Sequence, residues 1–285
     1  RDYILARCLF HHPDNNPSMI LYGRIGRYEC FSCGNSGTLE YLATRVSAGS
    51  YSRDRGYRVE RVKRVPRPNW GDSEMGEFVE RAQRSLGQLG PNQEYLRARG
   101  LGSCIRWARL GWENGWYIVP IYTADKTLQG AVARAGPWRE KGPMKFDMPY
   151  GQRPLLYVPH WGHWEAQERV FVVFGMFDAL SLAVAGLAGS SPSAGKGSLD
   201  PKWLDGVSKP VYIIPDRDTP ANKEAKQAFE YASLLDWRGR VCRLEYGTDE
   251  KDVNDILVRR GPEGLKYAVD KGVGDSVRLH DRGTG

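Results

Sequence analysis

Val211-Tyr212-Ile213-Ile214-Pro215-Asp216-Arg217-Asp218 is an apolar run that ends in two carboxylates two residues apart. The run is short, rich in β-branched and aromatic residues and stopped by proline, which reads as a buried strand over Val211 to Pro215. Residues two apart in an extended chain point the same way, so Asp216 and Asp218 aim at one point just past the strand. Two carboxylates so placed repel each other unless a cation joins them. Mg²⁺ takes one or two carboxylates together with water and substrate phosphates, which suits nucleotide chemistry better than an all-protein cage. Turns also hold paired aspartates, and Thr219-Pro220 follows, so the neighbouring segments decide between a site and a turn.

Those neighbours alternate. Arg169 to Phe174 reads as an apolar strand, Asp178 to Ala185 as a helix, Ala221 to Asp236 as a helix and Arg240 to Tyr246 as a strand. Such alternation predicts a mostly parallel sheet flanked by helices, with ligands gathered at the carboxyl ends of its strands. Gly175-Met176-Phe177-Asp178-Ala179-Leu180 follows the first strand, and Lys251-Asp252-Val253-Asn254-Asp255-Ile256-Leu257 follows the last. Upstream, Asp72 to Arg99 has weak helical spacing broken at Gly90-Pro91, Arg99-Gly100-Leu101 opens a helix containing Ile105, and Trp116 to Tyr122 is a strong strand that turns at Ala124-Asp125-Lys126 into another through Ala133.

Near the N-terminus, Cys8-Leu9-Phe10-His11 and Cys30-Phe31-Ser32-Cys33 each place two metal-binding side chains around a two-residue gap. Tetrahedral zinc wants four thiolate or imidazole ligands, and this spacing lets a tight knuckle aim both members of a pair at one ion. The arm between them, Met19 to Tyr28 with Gly23 and Gly26, reads as a hairpin that carries the second knuckle back to the first. His12 is the nearest competing ligand, one residue further from Cys8. The bland alternative is a set of unrelated buried thiols with a surface imidazole.

The chain has 285 residues and a formal net charge of +7. Residues 51–70 carry seven Lys/Arg against two acids and residues 97–153 ten against four, whereas 154–285 hold seventeen basic against nineteen acidic groups. A basic first half points to phosphate backbone, and an acidic second half suits a cation site. With Pro66 and Pro68, the stretch 51–71 also reads as a basic linker. No run of eighteen apolar residues and no basic-then-apolar leader is present, so the expectation is a cytoplasmic protein without a membrane span. Cys104 and Cys242 stand alone, which argues against a disulfide framework. Ser193-Ala194-Gly195-Lys196-Gly197-Ser198 imitates a phosphate loop but lacks the glycine five residues before Gly195 and the hydroxyl after Lys196, so it reads as a loop. Trp112, Trp116 and Tyr122 are candidates for base stacking, with core packing the alternative.

Cys8 to Ser18, Tyr28 to Gly34 and Gly37-Thr38 together resemble the zinc-binding domain of DnaG-type and phage DNA primases. Gly-x-x-Asp-Ala-Leu at 175–180, Asp-x-Asp at 216–218 and Lys-Asp-x-Asn-Asp at 251–255 resemble, in that order, the TOPRIM domain of primases and topoisomerases. The resemblance implies an α/β TOPRIM domain over 154–285, preceded by a zinc-ribbon-like β module over 1–50, a basic linker over 51–71 and the N-terminal part of the RNA polymerase domain over 72–153. It implies Zn²⁺ on Cys8, His11, Cys30 and Cys33, and Mg²⁺ or Mn²⁺ on Asp216 and Asp218, with Asp252 a third acid. Arg134 and Lys145 would line the template and nucleotide groove.

The implied activity is that of a DNA-directed RNA polymerase, a nucleotidyltransferase making short RNA primers in DNA replication. Its implied partners are single-stranded DNA, ribonucleoside triphosphates and a replicative helicase. On the same resemblance, a small primase without a visible helicase-docking domain points toward a phage or mobile-element source. One departure matters: the family has glutamate immediately before Gly175, and this chain has Phe174. Asp178, about one helical turn onward, is the candidate substitute. The alternatives are a catalytically impaired single-stranded-DNA-binding replication factor and a TOPRIM nuclease.

Overall fold

The computed structural model describes residues 3–10, 18–23, 26–30, 35–47, 68, 70, 74–88, 90–136, 146–149, 151–195, 198–217 and 239–278. The chain divides into two compact units, Arg1–Arg67 with Glu140–Lys145, and Pro68–Arg139 with Phe146–Gly285.

In the first unit, β1 (Tyr3–Ala6), β2 (Met19–Tyr22), β3 (Arg27–Cys30) and β4 (Ser36–Thr38) form an antiparallel sheet in sequence order, followed by α1 (Leu39–Ser47). The expected hairpin is β2–β3, turned through Gly26 at φ 64°, a left-handed conformation that costs glycine little. Ala6 pairs with Met19 and Met19 with Cys30. Cys8, two residues past β1, therefore leaves the sheet at the same end as Cys30. Phe10 stacks on Tyr28 with ring centroids 5.5 Å apart, and a Cβ on Gly37 would meet the Tyr28 ring at 2.9 Å.

The second unit opens with α2 (Met75–Gln88), α3 (Gly90–Ala98) and α4 (Cys104–Trp107), then an antiparallel sheet of β5 (Gly111–Glu113), β6 (Trp116–Tyr122), β7 (Leu128–Ala135) and β8 (Phe146–Asp147). There follow β9 (Leu156–Tyr157), α5 (Trp161–Ala166), β10 (Val170–Val172), α6 (Met176–Val184), β11 (Gly189–Pro192), β12 (Val211–Ile213), β13 (Gly239–Val241), α7 (Val253–Gly274) and β14 (Val277–Arg278). The second sheet runs β14-β13-β12-β10-β11-β9. Its four central strands are parallel, and only the edge pairings are antiparallel.

Both faces of this sheet are covered, which explains its unbroken apolar strands. Phe171, Val173, Tyr212 and Ile214 face one core with α6 and α7, while Val170, Val172, Val211 and Ile213 face a second with Trp164 of α5 and Leu204. The first core also takes in Leu86, Leu96, Tyr117 and Val119, so the segments 72–153 and 154–285 share one interior. Trp112 and Trp116 are buried and serve as core, not as stacking platforms. The strand expected over Arg240 to Tyr246 is shorter, because β14 pairs only with Arg240 and Val241 and the chain then turns away. The helix expected over 221–236 lies outside the described residues. Among the described residues no helix is long and apolar enough to cross a membrane.

Close approach of α6 to the sheet rests on one glycine. A Cβ at Gly189 of β11 would lie 2.7 Å from Leu182 Cβ and 2.9 Å from the Ala179 carbonyl oxygen. Gly189→Ala is expected to cost about 1–3 kcal/mol of unfolding free energy by forcing α6 off the sheet; urea unfolding measures it, and an unchanged midpoint would contradict this packing.

Candidate functional site

The carboxyl ends of β10 and β12, neighbouring parallel strands, deliver two acids to one place. After β10 the chain turns at Gly175 into α6 and presents Asp178 in the first helical turn. A Cβ on Gly175 would sit 2.1 Å from Asp178 Oδ2, which gives the Gly-x-x-Asp spacing its physical reason: the carboxylate folds back over a bare α-carbon. After β12, Pro215 leads to Asp216, half-buried.

The third acid comes with α7. Asp252 is its N-cap and accepts the Asp255 amide through Oδ1 at 2.8 Å, while Asp178 Oδ1 accepts the Asn254 amide at 2.9 Å. Two first-turn amides of α7, which have no partner within the helix, are thus taken by two carboxylates from different elements. The positive end of the helix dipole favours both. Asp216 is tied to the same place through its neighbour. The Arg217 amide donates to the Lys251 carbonyl at 2.7 Å, and its guanidinium donates to the carbonyls of Gly247 and Thr248 at 2.6 and 3.0 Å. Tyr246 donates its hydroxyl to the Pro215 carbonyl at 2.9 Å.

The acids are packed closely enough to disturb one another. Asp178 is held well above the usual carboxylate range, first by burial, then by the charges of Asp252 and Asp216. Asp252 is also raised, chiefly by burial, against the lowering pull of the Asp255 amide and of Arg99 and Arg134. Burial and the same three aspartates push the Tyr246 phenol up. Arg134, in β7, opposes this accumulation alongside Arg99: its guanidinium lies 4.3 Å from the Phe177 ring centroid and lowers both Asp178 and Asp252.

Behind the acids is a buried hydrogen-bonded knot that the sequence reading missed. Asn254 Nδ2 donates to the Arg99 carbonyl and to Ser181 Oγ, both at 2.9 Å, and Asn254 Oδ1 accepts Arg99 Nη1 at 3.0 Å. Asn254 stands in the Lys-Asp-x-Asn-Asp motif, but its partner Arg99 is 155 residues away and carries no local signal.

Of the residues expected from sequence, Asp178, Asp216, Asp252 and Arg134 come together here. Asp218, Lys145, His11, His12 and Cys33 lie outside the described residues. Phe174 is buried in the apolar cluster with Val158, Trp164 and Leu199, so its position supplies neither a proton acceptor nor a metal ligand. Among the described residues no three His, Cys, Asp or Glu side chains form a ready metal cage.

In the first unit, Cys8 and Cys30 are buried. Cys8 Sγ accepts the Phe10 amide at 3.3 Å, and Ser18 Oγ lies 3.2 Å from Cys30 Sγ.

Because Asp178 is raised when folded, the native state binds the more protons between the unfolded value of about 3.9 and the folded one, and stability falls as pH rises through that window. Asp178→Asn keeps the amide acceptor and removes the charge. In a chelating buffer its stability gain over the parent is expected to grow from pH 4 to pH 8, measured by thermal unfolding; a gain independent of pH would sink the assignment.

No protein-family model matches the sequence, and no curated protein matches it. Solved structures do. The Aquifex aeolicus primase, in its zinc-binding and RNA polymerase domains, is similar over 98% of this chain and 80% of that chain, with TM-score 0.55 and 18% identity. The RNA polymerase domain of Mycobacterium tuberculosis primase DnaG is similar over 72% and 83%, with TM-score 0.56 and 15% identity. A DnaG primase catalytic domain bound to single-stranded DNA is similar over 72% and 78%, with TM-score 0.54 and 18% identity. The strands and helices described above are therefore arranged in the fold of a DnaG-type primase.

Proposed function

We propose that this chain is a DNA primase, a template-dependent nucleotidyltransferase that makes short RNA primers on single-stranded DNA from ribonucleoside triphosphates. The observation that carries the reading is the meeting of Asp178, Asp216 and Asp252 at the carboxyl end of a parallel sheet, where burial and then the neighbouring carboxylates raise Asp178 and Arg134 pulls both Asp178 and Asp252 down. Such a cluster is completed by a cation and by phosphate. Asp216, with Asp218 and Asp252, would hold Mg²⁺ or Mn²⁺; bound there, the ion supplies activation of the primer 3′-hydroxyl and neutralises charge on the triphosphate.

Asp178 is the buried carboxylate at the site whose hold on a proton is strengthened, first by burial, which makes it the candidate for moving a proton. Arg134, braced on Phe177, holds negative charge at the groove, and Lys145 shares that role. The knot of Asn254, Arg99 and Ser181 fixes where Asp178 and α7 stand. In the first unit, the fit to zinc rests on Cys8 and Cys30 leaving the sheet at one end, with Cys8 Sγ accepting the Phe10 amide and Cys30 Sγ within hydrogen-bond distance of the Ser18 hydroxyl. His11 and Cys33 would complete the four ligands, and the module would help to engage template and initiating nucleotide. The DnaG catalytic domain solved with single-stranded DNA supports the template. A replicative helicase as partner and a phage or mobile-element source belong to the same reading.

A second reading is favoured by one specific observation. Phe174 is buried among apolar side chains where the primase pattern has glutamate, as expected of a scaffold that binds single-stranded DNA and has lost synthesis. Primer synthesis with labelled ribonucleotides and Mg²⁺ on a mixed-sequence single strand separates the two. The parent is expected to make short products and Asp216→Ala/Asp218→Ala to lose about 10²-fold or more of that rate. Products from Phe174→Glu alone would establish the binding factor instead, and cleavage of the strand would point to a nuclease.

A further inference from the structure

Residues 245–252, between β13 and α7, contain neither helix nor strand, yet they are densely fastened. Glu250, 4% exposed, accepts the Gly247 amide at 2.6 Å and pairs with Arg260 of α7 through Nε at 2.7 Å. Arg260 Nη2 also donates to the Glu245 carbonyl at 2.9 Å. From the end of β12, Arg217 directs Nη1 at three carbonyl oxygens of the same turn, those of Gly247 at 2.6 Å, Thr248 at 3.0 Å and Glu250 at 3.4 Å. The Lys251 carbonyl accepts the Arg217 amide at 2.7 Å, and the Tyr246 hydroxyl donates to the Pro215 carbonyl at 2.9 Å. The peptide group just before Asp216 and the one just before Asp252 are therefore each bonded to the other acid's segment.

None of these bonds uses a carboxylate oxygen of Asp216 or Asp252, so their effect falls on the direction and spacing of the two acids. Direction and spacing discriminate between cations. Mg²⁺ demands near-ideal octahedral geometry at short distances, whereas Ca²⁺ accepts irregular oxygen cages, so the rigidity of the ligands decides between them. Arg217 is exposed, and water can replace its guanidinium at the three carbonyls, which leaves the core intact. By charge alone, removing a cation beside the acids strengthens the binding of a metal ion. Unfastening the two segments has the opposite sign, because the apparent affinity falls with the fraction of molecules in which the acids are already in place.

We propose that Arg217 and Tyr246 are positioning residues that latch the turn before Asp252 to the Asp216 segment and so set the divalent-cation site for Mg²⁺ over Ca²⁺. The inference rests on the reading of Asp216 and Asp252 as cation ligands. Mn²⁺ binding to the full chain without nucleotide, followed by electron paramagnetic resonance of the free ion and competed with MgCl₂ or CaCl₂, tests it. Arg217→Met and Tyr246→Phe are each expected to weaken Mg²⁺ binding about 10-fold or more and Ca²⁺ binding by less, with urea midpoints in EDTA near the parent's. Mg²⁺ affinity at or above the parent's in either variant overturns the proposal. Equal weakening of Mg²⁺ and Ca²⁺ also overturns it, since general damage to the site would produce that. Asp216→Asn tests the underlying reading separately: weakened Mn²⁺ binding keeps the site whatever the latch variants do, whereas parental binding removes site and latch together. Should Arg217→Met not fold, Tyr246→Phe, which deletes one hydroxyl and no charge, decides alone.

Discussion

The first turn of α7 is the constraint on which the rest of the site depends. A helix start has amides without partners inside the helix, and here Asp252 takes one from the helix's own N-cap while Asp178 takes another from α6. Those two bonds set α6 against α7 and bring the two carboxylates within electrostatic reach of each other. Asn254 then extends the junction to Arg99 and Ser181, so the helices that precede the first sheet are joined to the acids through a single buried amide side chain. A buried network of this kind is stabilising only when every member is satisfied, and Asn254 uses its oxygen and its amide nitrogen.

The arrangement concentrates negative charge in a partly dry place, which costs stability and is the usual mark of a functional site. Burial and like charge raise Asp178, and Arg134 offsets only part of this. The interior elsewhere is apolar. Burial pushes the Cys104 and Cys242 thiols up to about 12, so both behave as small hydrophobic side chains rather than reactive sulfurs. Phe174 follows the same pattern: alternation along β10 turns Val170, Val172 and Phe174 to the core beneath the sheet. The acid missing from the primase pattern is replaced by packing, and Asp178 is left as the titratable group after that strand.

Much was legible in order along the chain. Val211 to Ile214 reads as a strand because both faces of a parallel sheet are buried, leaving an unbroken apolar run, and β6 is observed over the Trp116–Tyr122 run that its composition predicts. Gly175 and Asp178 are visible as a motif, although the reason for their spacing, a carboxylate oxygen lying where a Cβ would be, is a three-dimensional fact. The short edge strands β9 and β14 and the break in α7 at Gly261, φ 71°, left no clear periodic signal, since two-residue strands are defined by their partners.

The sequence by itself determined the alternation of strands and helices, the acids that end the strands and the paired cysteines, because each is a local pattern of side-chain type and spacing. Only the tertiary structure decided that Asp178, Asp216 and Asp252 share one electrostatic neighbourhood, that Arg99 locks Asn254, and that Trp112 is core while Trp107 is surface. Those outcomes depend on which distant elements meet, and the free energy of a meeting lies in burial, charge and hydrogen bonding between residues that no local window contains.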